Sequence, residues 1–143
     1  MPRRPRITAA VRRHVTAREG QRCAYCLSPM LVGIPMVVDH IIPLVAGGSS
    51  TLENLCPACY RCNEFKGSRT EAPDPHDGQV TPFFHPRQGY WYTHFTWQED
   101  QVTLEGLTPG GRTTIAALRL NDAWLVQARR LWLLLGLHPP VDA

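Results

Sequence analysis

The chain predicts an α+β fold: a small unit of strand, loop, strand and helix tied by four cysteines, preceded by a basic helix and followed by a β-hairpin and helices. Three observations predict it. Two Cys-x-x-Cys pairs, Cys23/Cys26 and Cys59/Cys62, bracket one short stretch. Inside that bracket, Met36-Val37-Val38 is apolar and β-branched and runs into Asp39-His40. Beyond position 89, Trp91, Thr93, Phe95 and Trp97 alternate with Tyr90, Tyr92, His94 and Thr96, the period-two pattern of a strand with two unlike faces.

Taken in chain order, Thr8 is placed to cap a helix through Ala9, Val11, His14 and Val15 that stops at Gly20. Met36 to Asp39 reads as a strand that delivers Asp39 and His40 at its end. Gly47-Gly48-Ser49-Ser50 turns the chain back toward Asn54-Leu55, and Cys62 to Lys66 suits a short helix. Residues 67–89, rich in Pro, Asp, Gly and Thr, read as a surface excursion. Gln98-Glu99-Asp100 then turns the aromatic strand into a second one holding Val102 and Leu104. Thr108-Pro109 gives an N-cap with proline at the first helical position. Asn121 or Asp122 caps a longer helix with Trp124, Leu125, Ala128, Leu131, Trp132 and Leu135 on one face, ended by Gly136 and Pro139-Pro140. The four tryptophans, Trp91, Trp97, Trp124 and Trp132, read as core.

A chain of 143 residues with 43% hydrophobic residues can bury one core and has little room for two large domains. The expected organisation is a basic arm and helix over residues 1–22, a cysteine-stapled core over 23–70, and an extension over 71–143 packed on it. The net charge of +3 hides an uneven distribution, because Arg3, Arg4, Arg6, Arg12, Arg13, Arg18 and Arg22 precede Cys23 against the single acid Glu19. Such an arm favours a polyanionic partner. The N-terminus has charge with no apolar run behind it, and the longest apolar stretch, Leu131 to Leu135, is far too short to span a bilayer. A cytoplasmic protein with no membrane partner is the expectation; oligomeric state has no signature in the chain.

Five cysteines without a secretion signal, four of them in Cys-x-x-Cys spacing, favour metal ligation over disulfides. Cys23, Cys26, Cys59 and Cys62 read as a structural zinc site, since tetrahedral Zn²⁺ takes four thiolates from two such turns. Cys56 is the odd one out, three residues before Cys59. The 32 residues between Cys26 and Cys59 exceed the spacer of a compact finger, so something is inserted between the two halves of the site. Asp39 offers a hard anionic oxygen and Asn63 a hard neutral one, a sparse set that suits Mg²⁺ or Mn²⁺ with positions left for water and substrate. His40, next to Asp39 on an extended strand, points to the opposite side, and an imidazole with an unperturbed pKa near ~6.5 is a competent general base. Asn54 ties strand to loop through side-chain to backbone hydrogen bonds. Arg61, Lys66 and Arg69 flank the final helix and are candidates, with Arg3, Arg4 and Arg6, for phosphate contacts.

In order and spacing, Cys23-x-x-Cys26, Asp39-His40-Ile41-Ile42-Pro43, Gly47-Gly48, Asn54-Leu55, Cys59-x-x-Cys62, Asn63 and Lys66 together resemble the zinc-bearing ββα-metal group of the HNH endonuclease family. The resemblance spans about residues 20–70. It implies His40 as the first H of the motif, Asn54 as its N, and Asn63 in the place of the last H, a departure to an H-N-N pattern. It also implies hydrolysis of DNA to a 3′-hydroxyl and a 5′-phosphate, with double- or single-stranded substrate unresolved. The rival reading is a zinc module that binds nucleic acid without cutting it, which explains the cysteines and the arginines but not Asp39, His40 and Asn63 together. A thiol redox protein would need only one Cys-x-x-Cys.

Overall fold

The computed structural model describes residues 6–141. Arg3 and Arg4 therefore lie outside the described residues. Helix α1 (Ala9–Arg18) starts where the Thr8 hydroxyl accepts a hydrogen bond from the Val11 amide at 3.1 Å. Only Val15 and Thr16 of this helix are buried, so it lies on the surface with Arg12 and Arg13 outward. Its last residue, Arg18, donates to the carbonyls of Leu52 and Leu55, which fastens the helix to the far end of the central hairpin. Gly20, with φ +67°, then turns the chain into the first cysteine pair.

Strand β1 (Met36–His40) pairs antiparallel with β2 (Leu55–Cys59), and the register sets Asp39 opposite Cys56 and His40 opposite Leu55. Every residue of β2 is buried. Helix α2 (Tyr60–Lys66) follows without a loop, because Cys59 is both the end of the strand and the helix N-cap, its Sγ accepting from the Cys62 amide at 3.5 Å. The loop from β1 to β2 is pinned by Asn54. Its Oδ1 accepts from the Ile42 amide at 2.8 Å, and its Nδ2 donates to the Ile42 carbonyl at 2.9 Å and the Ser49 carbonyl at 2.7 Å. Gly48 is required there, since a Cβ on it would stand 1.7 Å from the Ile42 carbonyl oxygen.

The segment read as a surface excursion is built otherwise. It holds a short hairpin, β3 (Glu71–Pro73) with β4 (Val80–Pro82), and buries Ala72, Asp74 and Phe84. The Pro, Asp and Gly content serves a turn closed by Asp74, which accepts from the His76 amide and forms an ion pair with Arg112 at 2.8 Å. The aromatic segment also departs from the strand pattern: Trp91–His94 is a single helical turn, α3, and only Phe95–Trp97 is strand, β5. The turn places Trp91 and Phe95, four residues apart, on one face with ring centroids at 4.8 Å, and Trp91 Nε1 donates to the Tyr25 carbonyl at 3.0 Å. Spacing of four satisfies period two and the helix alike, and burial of Trp91 against the first cysteine turn decided between them.

Strand β6 (Leu104–Gly106) pairs with β5, so Val102 belongs to the connecting turn, which Asp100 closes by accepting from the Val102 and Thr103 amides. Helix α4 (Pro109–Ala117) is capped by Thr108 with proline at its start. Asp122 caps α5 (Ala123–Leu134), while Asn121 instead bonds both backbone groups of Leu104. The inward face of α5 is Leu125 and Arg129, with Trp132 partly buried. Trp124, Leu131 and Leu135 are 78%, 57% and 71% exposed, so the expected face is rotated and Trp124 is not core. One hydrophobic cluster joins Tyr25 and the cysteine turns to Phe84, Trp91, Phe95, Leu104 and Leu125. No helix among the described residues is long and apolar enough to cross a membrane.

Candidate active site and metal centre

The two Cys-x-x-Cys turns meet under the hairpin. The Sγ atoms of Cys23, Cys26, Cys59 and Cys62 all lie within 4.8 Å of one another, and all four residues are buried. Cys26 and Cys59 are 3.7 Å apart, close to the ~3.8 Å edge of a tetrahedron with metal–sulfur bonds of about 2.3 Å. Within the cluster, hydrogen bonds from Cys23, Cys59 and Cys62 push the Cys26 thiol down, while burial pushes Cys23 up and hydrogen bonding to its neighbours pushes Cys62 up, as four sulfurs sharing few protons require. The donor set therefore fits a tetrahedral thiophilic ion such as Zn²⁺. Cys56 is not part of it. Burial above all, then the nearby Asp39 charge, pushes its thiol up and keeps it protonated.

On the other side of β1, Asp39 is 5% exposed and its carboxylate is gripped by three side chains, one from the first cysteine turn and two from α2. Oδ2 accepts from the Tyr25 hydroxyl at 2.7 Å, Oδ1 lies 3.3 Å from Asn63 Nδ2, and Lys66 Nζ sits 3.1 Å from Oδ2 and 3.3 Å from Oδ1. Lys66 also donates to the His40 carbonyl at 3.1 Å. Burial, followed by the charges of Cys56 and Asp39, pushes the Tyr25 phenol up, so it stays protonated and donates. His40 follows on the same strand and turns the other way, its Nε2 3.0 Å from Ser50 Oγ. Asn54 holds the loop that carries Ser50 against the end of β1.

The structure brings Asp39 and Asn63 together, puts His40 on the opposite side of the strand and leaves Asn54 as a clamp behind them. The phosphate candidates fare differently. Lys66 is 1% exposed and engaged with Asp39, which corrects the expectation that it faces phosphate: its ammonium completes a buried ion pair instead. Arg61 pairs with Asp122 at 3.4 Å and stacks on Phe65 with 5.2 Å to the ring centroid. Arg69 donates to the carbonyls of Phe65, Lys66 and Ala117, closing the end of α2. Arg6 is exposed. Two residues outside the predicted site set join the site. Tyr25 lies between Cys23 and Cys26, where an aromatic hydroxyl was the available signal, and Ser50 lies in the run read only as a turn.

Residues 23–69 match the model of the HNH endonuclease family. The chain is also 44% identical over 52 residues to a CRISPR-associated endonuclease Cas9 from Corynebacterium diphtheriae; the aligned stretch is 36% of this chain and 5% of that relative. No solved structure matches the chain. The match begins at Cys23 and ends at Arg69, taking in both cysteine turns, Asp39-His40, Asn54 and Asn63, so the likeness to HNH endonuclease domains is carried by this segment.

Proposed function

We propose that the chain is a metal-dependent DNA endonuclease in which His40 is the general base, Asp39 and Asn63 hold one divalent ion, and Asn54 positions the loop. The observation that carries this reading is the divergence of neighbours on β1: Asp39 meets Asn63 at 3.3 Å while His40 turns toward Ser50. One strand thereby sets a carboxylate–amide pair apart from an imidazole, and phosphodiester hydrolysis needs a group that can hold a metal and a base. The fit is sparse but chemically consistent, since a carboxylate and an amide are ligands of Mg²⁺ or Mn²⁺. When bound, such an ion supplies positive charge to the phosphate oxygens as negative charge builds up there.

The chain's own residues do the remaining work. His40 takes the proton of the attacking water, with the Ser50 hydroxyl fixing the ring at Nε2. Tyr25 and Lys66 hold the Asp39 carboxylate in one orientation, and Lys66 through the His40 carbonyl also fixes the strand end. The four cysteines, as a zinc site, fix the base of β2 and the start of α2, so that Asn63 is presented one residue after the ligand Cys62. The domain division at residues 22 and 70 and the arginine arm as a phosphate contact belong to the same proposal.

The test is plasmid cleavage with Mg²⁺, Mn²⁺ or chelator, comparing the wild-type chain with His40→Ala. Loss of a general base is typically worth ~10²- to 10⁴-fold in rate. Metal-dependent cleavage that falls by that factor in the variant, with fold and DNA binding retained, is the expected result. Cleavage at the wild-type rate without His40 overturns the mechanism, and DNA binding without any cleavage favours the rival binding module.

A further inference from the structure

Arg129 is a charged side chain in the wrong place for an ordinary arginine. It sits on α5 and is 1% exposed. Its Nη1 donates to the Val102 carbonyl at 2.9 Å, and its guanidinium lies over the Trp97 ring, 5.1 Å from the centroid. Nε and Nη2 are buried with no hydrogen-bond partner, and no carboxylate forms an ion pair with it among the described residues. A buried guanidinium with one carbonyl and one ring face for company is poorly compensated, because removal from water costs several kcal/mol unless an opposite charge answers it. Among the described residues, Asp100 is the carboxylate whose charge favours the ionised form, and it stands too far off to form an ion pair.

Loaded with a metal, the cysteine centre would supply such an opposite charge. Four thiolates around a divalent ion carry a net charge of about −2, held inside the same core. Leu125, one helical turn before Arg129, lies in one hydrophobic cluster with Cys26, Cys59 and Cys62. The Arg61–Asp122 pair at 3.4 Å joins the helix that bears Cys62 to the N-cap of α5. The charges of Cys26 and Cys62 are also the largest influences that favour the ionised form of Arg129 against the effect of burial. The dianion and the orphaned cation are each costly alone and compatible together.

We infer that Arg129 is the counter-ion of the metal tetrathiolate, so that metal occupancy and the docking of α5 on the nuclease domain are linked. This rests on the reading of the four cysteines as a metal site. Linkage is reciprocal: whatever the docked arginine adds to metal affinity, the metal adds to the docking of the helix. The segment bearing Arg129 lies outside residues 23–69, so the device is supplied by the extension and not by the matched domain.

The experiment uses the full chain loaded with Zn²⁺ or Co²⁺, as wild type, Arg129→Met and Arg129→Lys. Metal affinity is read by competition with a chromogenic chelator, and the cobalt protein by its thiolate-to-metal charge-transfer absorption. Partners outside the ligand shell typically change affinity 10–100-fold. Arg129→Met is expected to lose ~10-fold or more by that measure, with a shifted charge-transfer band, and Arg129→Lys to recover part of both. Affinity and band unchanged in both variants overturn the inference. If Arg129→Met is insoluble, Arg129→Lys decides through the same two readings, since an ammonium lacks the planar fork that reaches two acceptors at once. Absence of any thiolate–cobalt band in the wild type would instead overturn the metal reading on which the inference stands.

Discussion

Replacing Lys66 by Met tests whether the Asp39 carboxylate depends on a buried countercharge. Nζ stands 3.1 and 3.3 Å from the two carboxylate oxygens, and the side chains are 2% and 5% exposed, so water screens the pair poorly. At such a separation a unit pair attracts by about 5 kcal/mol with an effective dielectric near 20, and removing one partner of a buried pair costs about 3–5 kcal/mol. Tyr25 and Asn63 still donate to Asp39 in the variant, which places the expected loss near the lower bound, about 3 kcal/mol. Urea unfolding of the zinc-saturated protein, followed by tryptophan fluorescence, measures it. The double variant Asp39→Asn, Lys66→Met removes both charges and should be more stable than Lys66→Met alone. Millimolar Mg²⁺ or Mn²⁺ should also restore part of the loss, by about 2.7 kcal/mol at a hundredfold excess over the dissociation constant, if Asp39 is a metal ligand. A loss under about 1 kcal/mol, or strict additivity with Asp39→Asn, would refute the argument that this pair is buried and coupled.

Asn54→Ala removes three hydrogen bonds and strands the Ile42 amide, so a loss of about 2–4 kcal/mol is expected by urea unfolding, with cleavage reduced further than the unfolded fraction accounts for because the Ser50 loop is released. Cys59→Ser should lose the metal and unfold the chain, since Cys59 is both ligand and helix cap, whereas Cys56→Ser should keep the metal stoichiometry of the wild type; atomic absorption and circular dichroism distinguish them. Asp74 is held below the usual carboxylate range by hydrogen bonds from Arg112 and then from the His76 amide. Its contribution to stability is therefore present above the unfolded value near ~3.9 and lost as pH falls through the lower folded value. The melting temperatures of wild type and Asp74→Asn should accordingly differ at pH 7 and converge on acidification, and a gap that persists below that range would contradict the pairing.

What was legible in the chain is what local chemistry dictates. The Thr8 cap, the β1 strand, the Thr108-Pro109 helix start and the pairing of Cys23/Cys26 with Cys59/Cys62 each depend on a few neighbouring residues whose geometry tolerates few alternatives. The divergence of Asp39 and His40 followed from strand alternation alone. The misread features all depend on a distant partner. Trp91 takes a helical turn because Tyr25 offers it a carbonyl, and Lys66 turns inward because a carboxylate on another element waits for it. The face of α5 is fixed by Arg129, an arginine that hydropathy assigns to solvent, so the apolar pattern alone chose a rotated face and put Trp124 inside.

The same distinction redistributes the charge that a polyanion would meet. Arg18, Arg22, Arg61, Arg69, Arg112 and Arg129 all donate to carbonyls or pair with acids, and Lys66 is buried, so most of the positive charge near the hairpin holds the fold together. Arg6, Arg12 and Arg13 differ: they are exposed, with no side-chain hydrogen bond or ion pair among the described residues. They stand on or before α1, whose C-terminal Arg18 is bonded to Leu52 and Leu55 at the Asp39–His40 end of the hairpin. The helix, fastened at that end, carries the open guanidinium groups of Arg12 and Arg13, where a loose tail would not hold them in place. Phosphate contacts in the proposed complex therefore shift from the α2 residues that the motif suggested to the outer face of α1, where the cost of freeing an arginine from its own protein does not arise.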